Sequence, residues 1–363
     1  MNSWINGTNC CAWNRVTCDY TTGNVIGIDR SCSQLQGTIN SNSSLFSLRQ
    51  LQKLNLSYND FSVSTMSSKF GWFANMTHLN LTKSNLSGKV PSDISYLSKL
   101  VSLDLSRNDN MRLDDISLQR LIQNQTKLSE LFMVKVDMSL LSPSSFMNFS
   151  SSLTSLRLYD CQLKGRFPNN IFHFPNLHLL DVSYNHNLVG SLPNYNWTSP
   201  LKVLGLFETG FLIELPNLIN NLKSLRKLYL SGCNFIGSYP TFFSDLTKIT
   251  SFDLSRNNFS GQIPWSLLKF ERLTLLDLLF NNFVGQLSNV TTYLAELSSS
   301  NNYSNIQLVS PISSKLAFLD LSHILLNGMI PSWLYSIPHL HYLYLDNNKF
   351  TGNINEFQCG ILT

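Results

Sequence analysis

The sequence predicts an α/β-type repeat solenoid, a chain wound into stacked coils that each give one strand to a parallel sheet. Three observations carry this. An apolar residue returns about every 24 positions, with steps between 21 and 28. Around it the chain alternates inward and outward as a strand does, and each strand is followed by a polar turn residue and often by G-x-x-P. The series runs Ile28, Leu54, Leu79, Leu103, Leu131, Leu156, Leu180, Leu204, Leu228, Phe252, Leu276, Leu297, Leu319 and Leu343. One coil alone has nothing to bury its apolar side against, so the coils must stack into a continuous core.

Within each repeat the L-x-L strand comes first, with both leucines inward. Three residues later comes a turn slot, held by Asn59, Asn108, Asn185, Asn257, Asn281, Asn302 and Asn348. Cys161, Cys233, Thr209, Ser33 and Ser84 hold the same slot elsewhere, as suits a buried ladder of side chains bonded to turning backbone. Val136 and Ile324 lack the hydrogen-bonding group, which predicts weakened turns there. G-x-x-P follows at Gly88–Pro91, Gly165–Pro168, Gly190–Pro193, Gly237–Pro240, Gly261–Pro264 and Gly328–Pro331. Glycine permits a tight backbone, and proline fixes φ where no ladder donor is needed. Two residues break the frame. Arg30 stands at an inward position, costly unless its guanidinium reaches the edge, and Ser299 replaces the second leucine after Leu297.

The full frame, L-x-x-L-x-L-x-x-N-x-L-x-G-x-I-P, resembles the plant-specific class of leucine-rich repeat. That resemblance implies a superhelix with a parallel concave sheet, second short strands, and a convex side of 3-10 turns and loops. Cys10-Cys11-Ala12-Trp13-Asn14-Arg15-Val16-Thr17-Cys18-Asp19 resembles the disulfide-bearing cap of that family. Ser31-Cys32-Ser33-Gln34-Leu35-Gln36-Gly37, followed by Ser41-Asn42-Ser43-Ser44-Leu45-Phe46, is similar to the first repeat of plant receptor-like proteins of the Cf disease-resistance type. The resemblance covers roughly residues 4 to 358. It implies a truncated cap over residues 1–24, then about fourteen repeats over 25–363 with no C-terminal cap, the N-terminal part of an ectodomain. It also implies a Cys11–Cys18 disulfide, with Cys10 paired to a cysteine upstream of this chain. Cys161 and Cys233 read as buried turn-slot thiols, and Cys32 and Cys359 stay unassigned. Arg15 replaces the glycine usual between the cap Trp and Val, which predicts strain.

Composition excludes some classes. Charged residues are 13% and the net charge is +4, so there is no basic field for nucleic acid. No run of about 18 apolar residues predicts a membrane span in this chain, and no leader pattern opens it. Acceptors of the form Asn-x-Ser/Thr fall at Asn6, Asn42, Asn55, Asn75, Asn80, Asn85, Asn124, Asn148, Asn196, Asn258, Asn289 and Asn302, only modestly more than chance provides. The cap cysteines point more firmly to an oxidising compartment. No catalytic signature, phosphate loop or kinase motif occurs, so neither an enzyme nor a cofactor is expected. His339-Leu340-His341 lacks a third metal ligand, and Cys10, Cys11 and Cys18 suit a disulfide better than zinc.

What remains is recognition. The exposed positions of successive strands line up in columns on the concave face. Asp104, Asp181, Asp253, Asp277 and Asp320 are the ordinary residue of L-D-L-S and read as structural. Arg157, Tyr159, Asp160, Phe207, Glu208 and Tyr229 depart from that pattern and mix aromatic anchors with charge, so they are the candidate ligand contacts. The resemblance implies a cell-surface receptor-like protein that binds a peptide or protein signal in defence or development and works through a partner kinase. A secreted cell-wall enzyme inhibitor resembling the polygalacturonase-inhibiting proteins, or a truncated product without function, is the alternative.

Overall fold

The computed structural model describes Trp4 and residues 7–192, 199–212, 224–238, 246–263, 267–268, 270–287 and 315–352. These fall into two units, Met1–Ser191 with Thr198–Pro200, and Leu192–Trp197 with Leu201–Thr363.

The first unit opens on the cap. Asn9 caps the 3-10 turn Cys10–Ala12, and strand Val16–Cys18 lies antiparallel to Val25–Asp29. A disulfide joins Cys11 to Cys18. From Val25–Asp29 onward the pairing is parallel and in register, so that Ile28, Leu54, Leu79, Leu103, Leu131, Leu156 and Leu180 stand opposite one another. In the second unit the same ladder joins Leu204, Leu228, Phe252, Leu276, Leu319 and Leu343. All but Leu343 are buried. Each such side chain contributes about 1.5–3 kcal/mol of burial, available only because a neighbouring coil covers it.

Leu297 and Ser299 lie outside the described residues. The strands on either side pair directly, Leu276 with Leu319, and the second strands do likewise, Val284 with Leu325.

The convex side carries 3-10 turns at Ser44–Ser47, Ser68–Trp72, Ser92–Tyr96, Pro143–Asn148, Asn169–His173 and Ser332–Ser336. Pro91, Pro168 and Pro331 cap three of them, with φ near −63° to −78°. One coil differs. The step from Leu103 to Leu131 is the longest, and its extra residues wind an α-helix, Asp115–Asn124, N-capped by Asp114. Asp114 also meets Lys89 Nζ at 2.6 Å. Second strands run through the glycine of G-x-x-P, as at Ser87–Lys89, paired with Asn110–Arg112, and Lys164–Arg166, paired with Asn187–Ser191. Gly88 and Gly165 take φ of +77° and +89°, closed to most side chains. Phe235, Phe259 and Phe283 stack inside the second unit with ring centroids 5.9 and 6.1 Å apart.

The turn slot works as a hydrogen-bond ladder between coils. Asn108 Oδ1 accepts the N–H groups of Ser84 and Leu86 at 3.1 and 3.0 Å, and its Nδ2 donates to the carbonyls of Leu81 and Leu105 at 2.8 Å. Asn185 and Asn257 repeat the pattern. Cys161 and Cys233 keep only the donor half, each Sγ reaching a carbonyl of the preceding coil at 2.9 Å. Burial raises both thiols, Cys233 to about 11, so neither is a reactive thiolate. Val136 and Ile324 fill the slot by burial alone, and their turns keep the geometry of the others.

A further regularity was not visible in the sequence. The residue just before the slot is left-handed in every described repeat from Tyr58 to Asn347, with φ from +49° to +66°, and only Gly232 is a glycine. Such a backbone costs an L-residue roughly 1–2 kcal/mol. Its N–H bonds the next coil, as Lys83 does to Ser106, Arg107 to Val134 and Asp160 to Ser183, which offsets that cost.

The two arginines have physical answers. Arg30 is half-buried and lays its guanidinium 3.8 Å above the ring of Trp4, which itself stacks on Trp13. The charge finds an aromatic face, while its Nη2 is buried without a hydrogen-bond partner. Arg15 does sit in a left-handed conformation, φ +62°, that glycine would accept more easily. Its Nη1 donates to the Ser31 carbonyl at 2.9 Å and lies 4.0 Å from Asp29.

Candidate recognition surface

The first concave column shows why aspartate is common there. Asp104, Asp181, Asp253, Asp277 and Asp320 each accept, through Oδ1, the N–H two residues further on. The carboxylate thereby holds the strand end and is only partly available to a ligand. Where Phe132 replaces it, the N–H of Val134 bonds Ser106 Oγ instead. Departures from aspartate release that column for other uses.

In the first unit Arg157, Tyr159 and Asp160 do come together, each with a partner. The Arg157 guanidinium lies over the Phe132 ring at 5.5 Å and its Nε is 3.9 Å from Asp181. Tyr159 packs on Tyr184 with centroids 4.8 Å apart. Burial first, then Tyr184, pushes the Tyr159 hydroxyl up to about 12. Asp160 meets Lys135 Nζ at 3.8 Å. Arg157 and Tyr159, but not Asp160, border a groove of about 730 Å³ whose wall also includes Tyr58, Lys83, Arg107, Phe132, Lys135 and Asp181. A second groove of about 820 Å³, nearer the cap, has mixed charge from Arg15, Lys53, Asp29 and Glu130.

Phe207, Glu208 and Tyr229 belong to the second unit, all half-buried. The six candidates are thus divided between the units, three in each. A side chain at Gly232 would meet the Glu208 carboxylate at 3.2 Å, so this glycine leaves room for Glu208 across the next turn. Further along, Arg256 faces Phe280 at 5.4 Å and Phe280 stacks on His323 at 4.1 Å. His323 Nε2 is 3.6 Å from Asp346.

Sequence reasoning missed the basic row Lys83, Arg107 and Lys135, although the signal was present as cations just before the turn slot in three successive repeats.

Among the sequons, Asn42, Asn85, Asn124, Asn148 and Asn258 are exposed. Asn55, Asn75 and Asn80 are half-buried, and Asn55 and Asn80 use Oδ1 to hold the N–H of Ser57 and Thr82. Asn6, Asn196, Asn289 and Asn302 lie outside the described residues. The sulfurs of Cys10, Cys11 and Cys18 cluster within 4.8 Å, but two of them are joined in the disulfide. Cys10 and Cys32 are free, and Cys359 is outside the described residues. His339 and His341 are both exposed. Among the described residues no helix is long and apolar enough to cross a membrane.

The Leucine Rich Repeat family pattern matches residues 152–174, 224–246, 248–270 and 339–360. Receptor-like protein 6 of Arabidopsis thaliana is 41% identical over 234 residues, 63% of this chain and 23% of that protein. Receptor-like protein Cf-9 of Solanum pimpinellifolium is 40% identical over 225 residues, 61% of this chain and 26% of that protein. Over these residues the chain is similar to the plant receptor-like proteins of the Cf-9 type. It spans about a quarter of the length of these relatives. Among solved structures, the ectodomain of the Arabidopsis thaliana receptor kinase GASSHO1/SCHENGEN3, in complex with CASPARIAN STRIP INTEGRITY FACTOR 2, matches with a TM-score of 0.63 and 25% identity. That match covers 95% of this chain and 47% of the other. The plant peptide hormone receptor RGFR1, in complex with RGF2, shares the fold at a TM-score of 0.50 and 22% identity, over 94% of this chain and 72% of that one. The receptor-like relatives carry receptor names.

Proposed function

We propose that this chain is a ligand-recognition ectodomain, or part of one, from a plant cell-surface receptor-like protein. It binds a peptide or protein signal in defence or development on the concave face, and it signals through a partner kinase. The observation that carries this reading is the contrast within one column. Regular aspartates hold the strand ends, while Phe132, Arg157 and Tyr229 break the pattern and offer aromatic and charged groups. The likeness to receptor-like proteins supports it. Asn42, Asn85, Asn124, Asn148 and Asn258 are positioned to carry glycans on a secreted chain.

The test is a binding panel. The secreted chain, immobilised, is exposed to extended peptides of acidic, neutral and basic character, and binding is read by interferometry. Saturable binding of at least one class is expected, weakened about tenfold or more when an aromatic anchor such as Phe132 is replaced by Ser. Failure of every class to bind would sink the reading.

A further inference from the structure

We propose that the groove of the first unit takes an acidic, extended peptide segment, seated across strands His78–Asn80, Ser102–Asp104 and Glu130–Phe132 by Lys83, Arg107 and Lys135. This rests on the ligand-binding reading above and narrows it to one ligand chemistry.

The three cations stand at the same turn position of adjacent coils, because the strands before them pair in register. Strand spacing of about 4.8 Å makes them a row of roughly 10 Å. All three are exposed. Lys83 Nζ lies 5.5 Å from the Tyr58 ring, and Lys135 makes only an exposed pair with Asp160 at 3.8 Å. Such a pair is worth little and yields readily to a ligand. Arg107 has no ion pair among the described residues.

The acids nearby are placed differently. Asp104 and Asp181 sit in the neighbouring column with Oδ1 committed to backbone N–H groups. Asp109 stands exposed at the groove. The three cations stand together in one row, of which only Lys135 is ion-paired among the described residues. In the groove wall Thr82 Oγ1 is buried without a hydrogen-bond partner.

An extended chain repeats its side chains on one face every ~6.8 Å, so two carboxylates at alternate positions fit over the row. Phe132 and Tyr159 flank it and would cover an apolar residue between or beyond them.

The proposal is tested by fluorescence anisotropy with a labelled Glu-Ser-Glu-Ser-Glu peptide, its Gln-for-Glu and Lys-for-Glu counterparts, and sodium phosphate as competitor. The glutamate peptide is expected to bind at least about tenfold more tightly than the glutamine one, with the lysine peptide weakest. Arg107→Gln and Lys83→Gln should each weaken it by about 3- to 10-fold and flatten its salt dependence. Lys164→Gln, on the second-strand side, should leave it unchanged. Equal binding of the glutamate and glutamine peptides overturns the proposal and leaves the receptor reading standing. Binding of none of them counts against both. Competition by phosphate at the peptide's own concentration overturns it too, since the site would then be a simple anion site. If one variant fails to fold, by circular dichroism, the comparison of the three peptides on the unaltered chain still decides.

Discussion

Replacing Asn108 by leucine is expected to destabilise the first unit by about 3–5 kcal/mol, although the two side chains share the same branched heavy-atom skeleton. Asn108 is 1% exposed, and its amide joins two coils. The change strands the N–H groups of Ser84 and Leu86 and the carbonyls of Leu81 and Leu105 in a site closed to water. Each stranded group costs about 1–3 kcal/mol, and local relaxation recovers part of that. In a unit of this size the midpoint of thermal unfolding should fall by roughly 10 °C. A fall below about 2 °C would show that burial alone holds the turn, as it does at Val136 and Ile324. Those two positions differ because their coils formed around an apolar slot, with the Val136 N–H turned to the Met133 carbonyl.

The second large effect is a dependence on pH in the second unit. Asp253, Asp277 and Asp320 stand opposite one another on adjacent strands. Asp253 and Asp320 each accept both the N–H and the hydroxyl of the serine two residues on. Asp277 has only the N–H of Leu279, because leucine stands where the serine would be. Burial first, then the Asp253 charge, with Asp320 adding to it, pushes Asp277 up to about 7, against a smaller opposing effect of Arg256. Burial raises Asp253 as well. Between the ordinary carboxylate range and pH 7 the folded form holds a proton that the unfolded form has lost. Stability is therefore greatest below that interval and falls as pH rises through it. From pH 5 to pH 8 the loss attributable to Asp277 is about 1–3 kcal/mol. Asp277→Asn should remove that part of the slope and stabilise the unit at pH 8. Melting curves from pH 5 to 8 for both proteins check this, and parallel slopes would refute it.

Much of the fold was legible because it is a local code repeated. Inward leucines, turn-slot asparagines and G-x-x-P segments each state their role within one repeat. What the sequence did not disclose depends on what neighbouring coils do to one another. Left-handed Lys83 or Arg107 looks ordinary until the next coil supplies a carbonyl for its N–H. Arg30 looked like a buried charge because the ring that receives it, Trp4, is distant in sequence and outside the repeat. Leu297 kept the approximate period, but period alone does not reveal that Leu276 and Leu319 pair directly. The recognition surface was half visible for the same reason. Departures such as Arg157 stand out against a consensus, whereas the row Lys83, Arg107 and Lys135 gains meaning only when three turns are aligned in space.

Photo-crosslinking tests the central claim, that the concave columns are the recognition surface, most directly. A benzophenone-bearing Glu-Ser-Glu-Ser-Glu peptide is bound to the chain, irradiated, and its attachment sites are mapped by mass spectrometry. Attachment at Phe132, Lys135 or Tyr159 is the predicted result. Attachment confined to the convex turns, at exposed residues such as Tyr96 or Leu140, or to the second strand Lys164–Arg166, would contradict it.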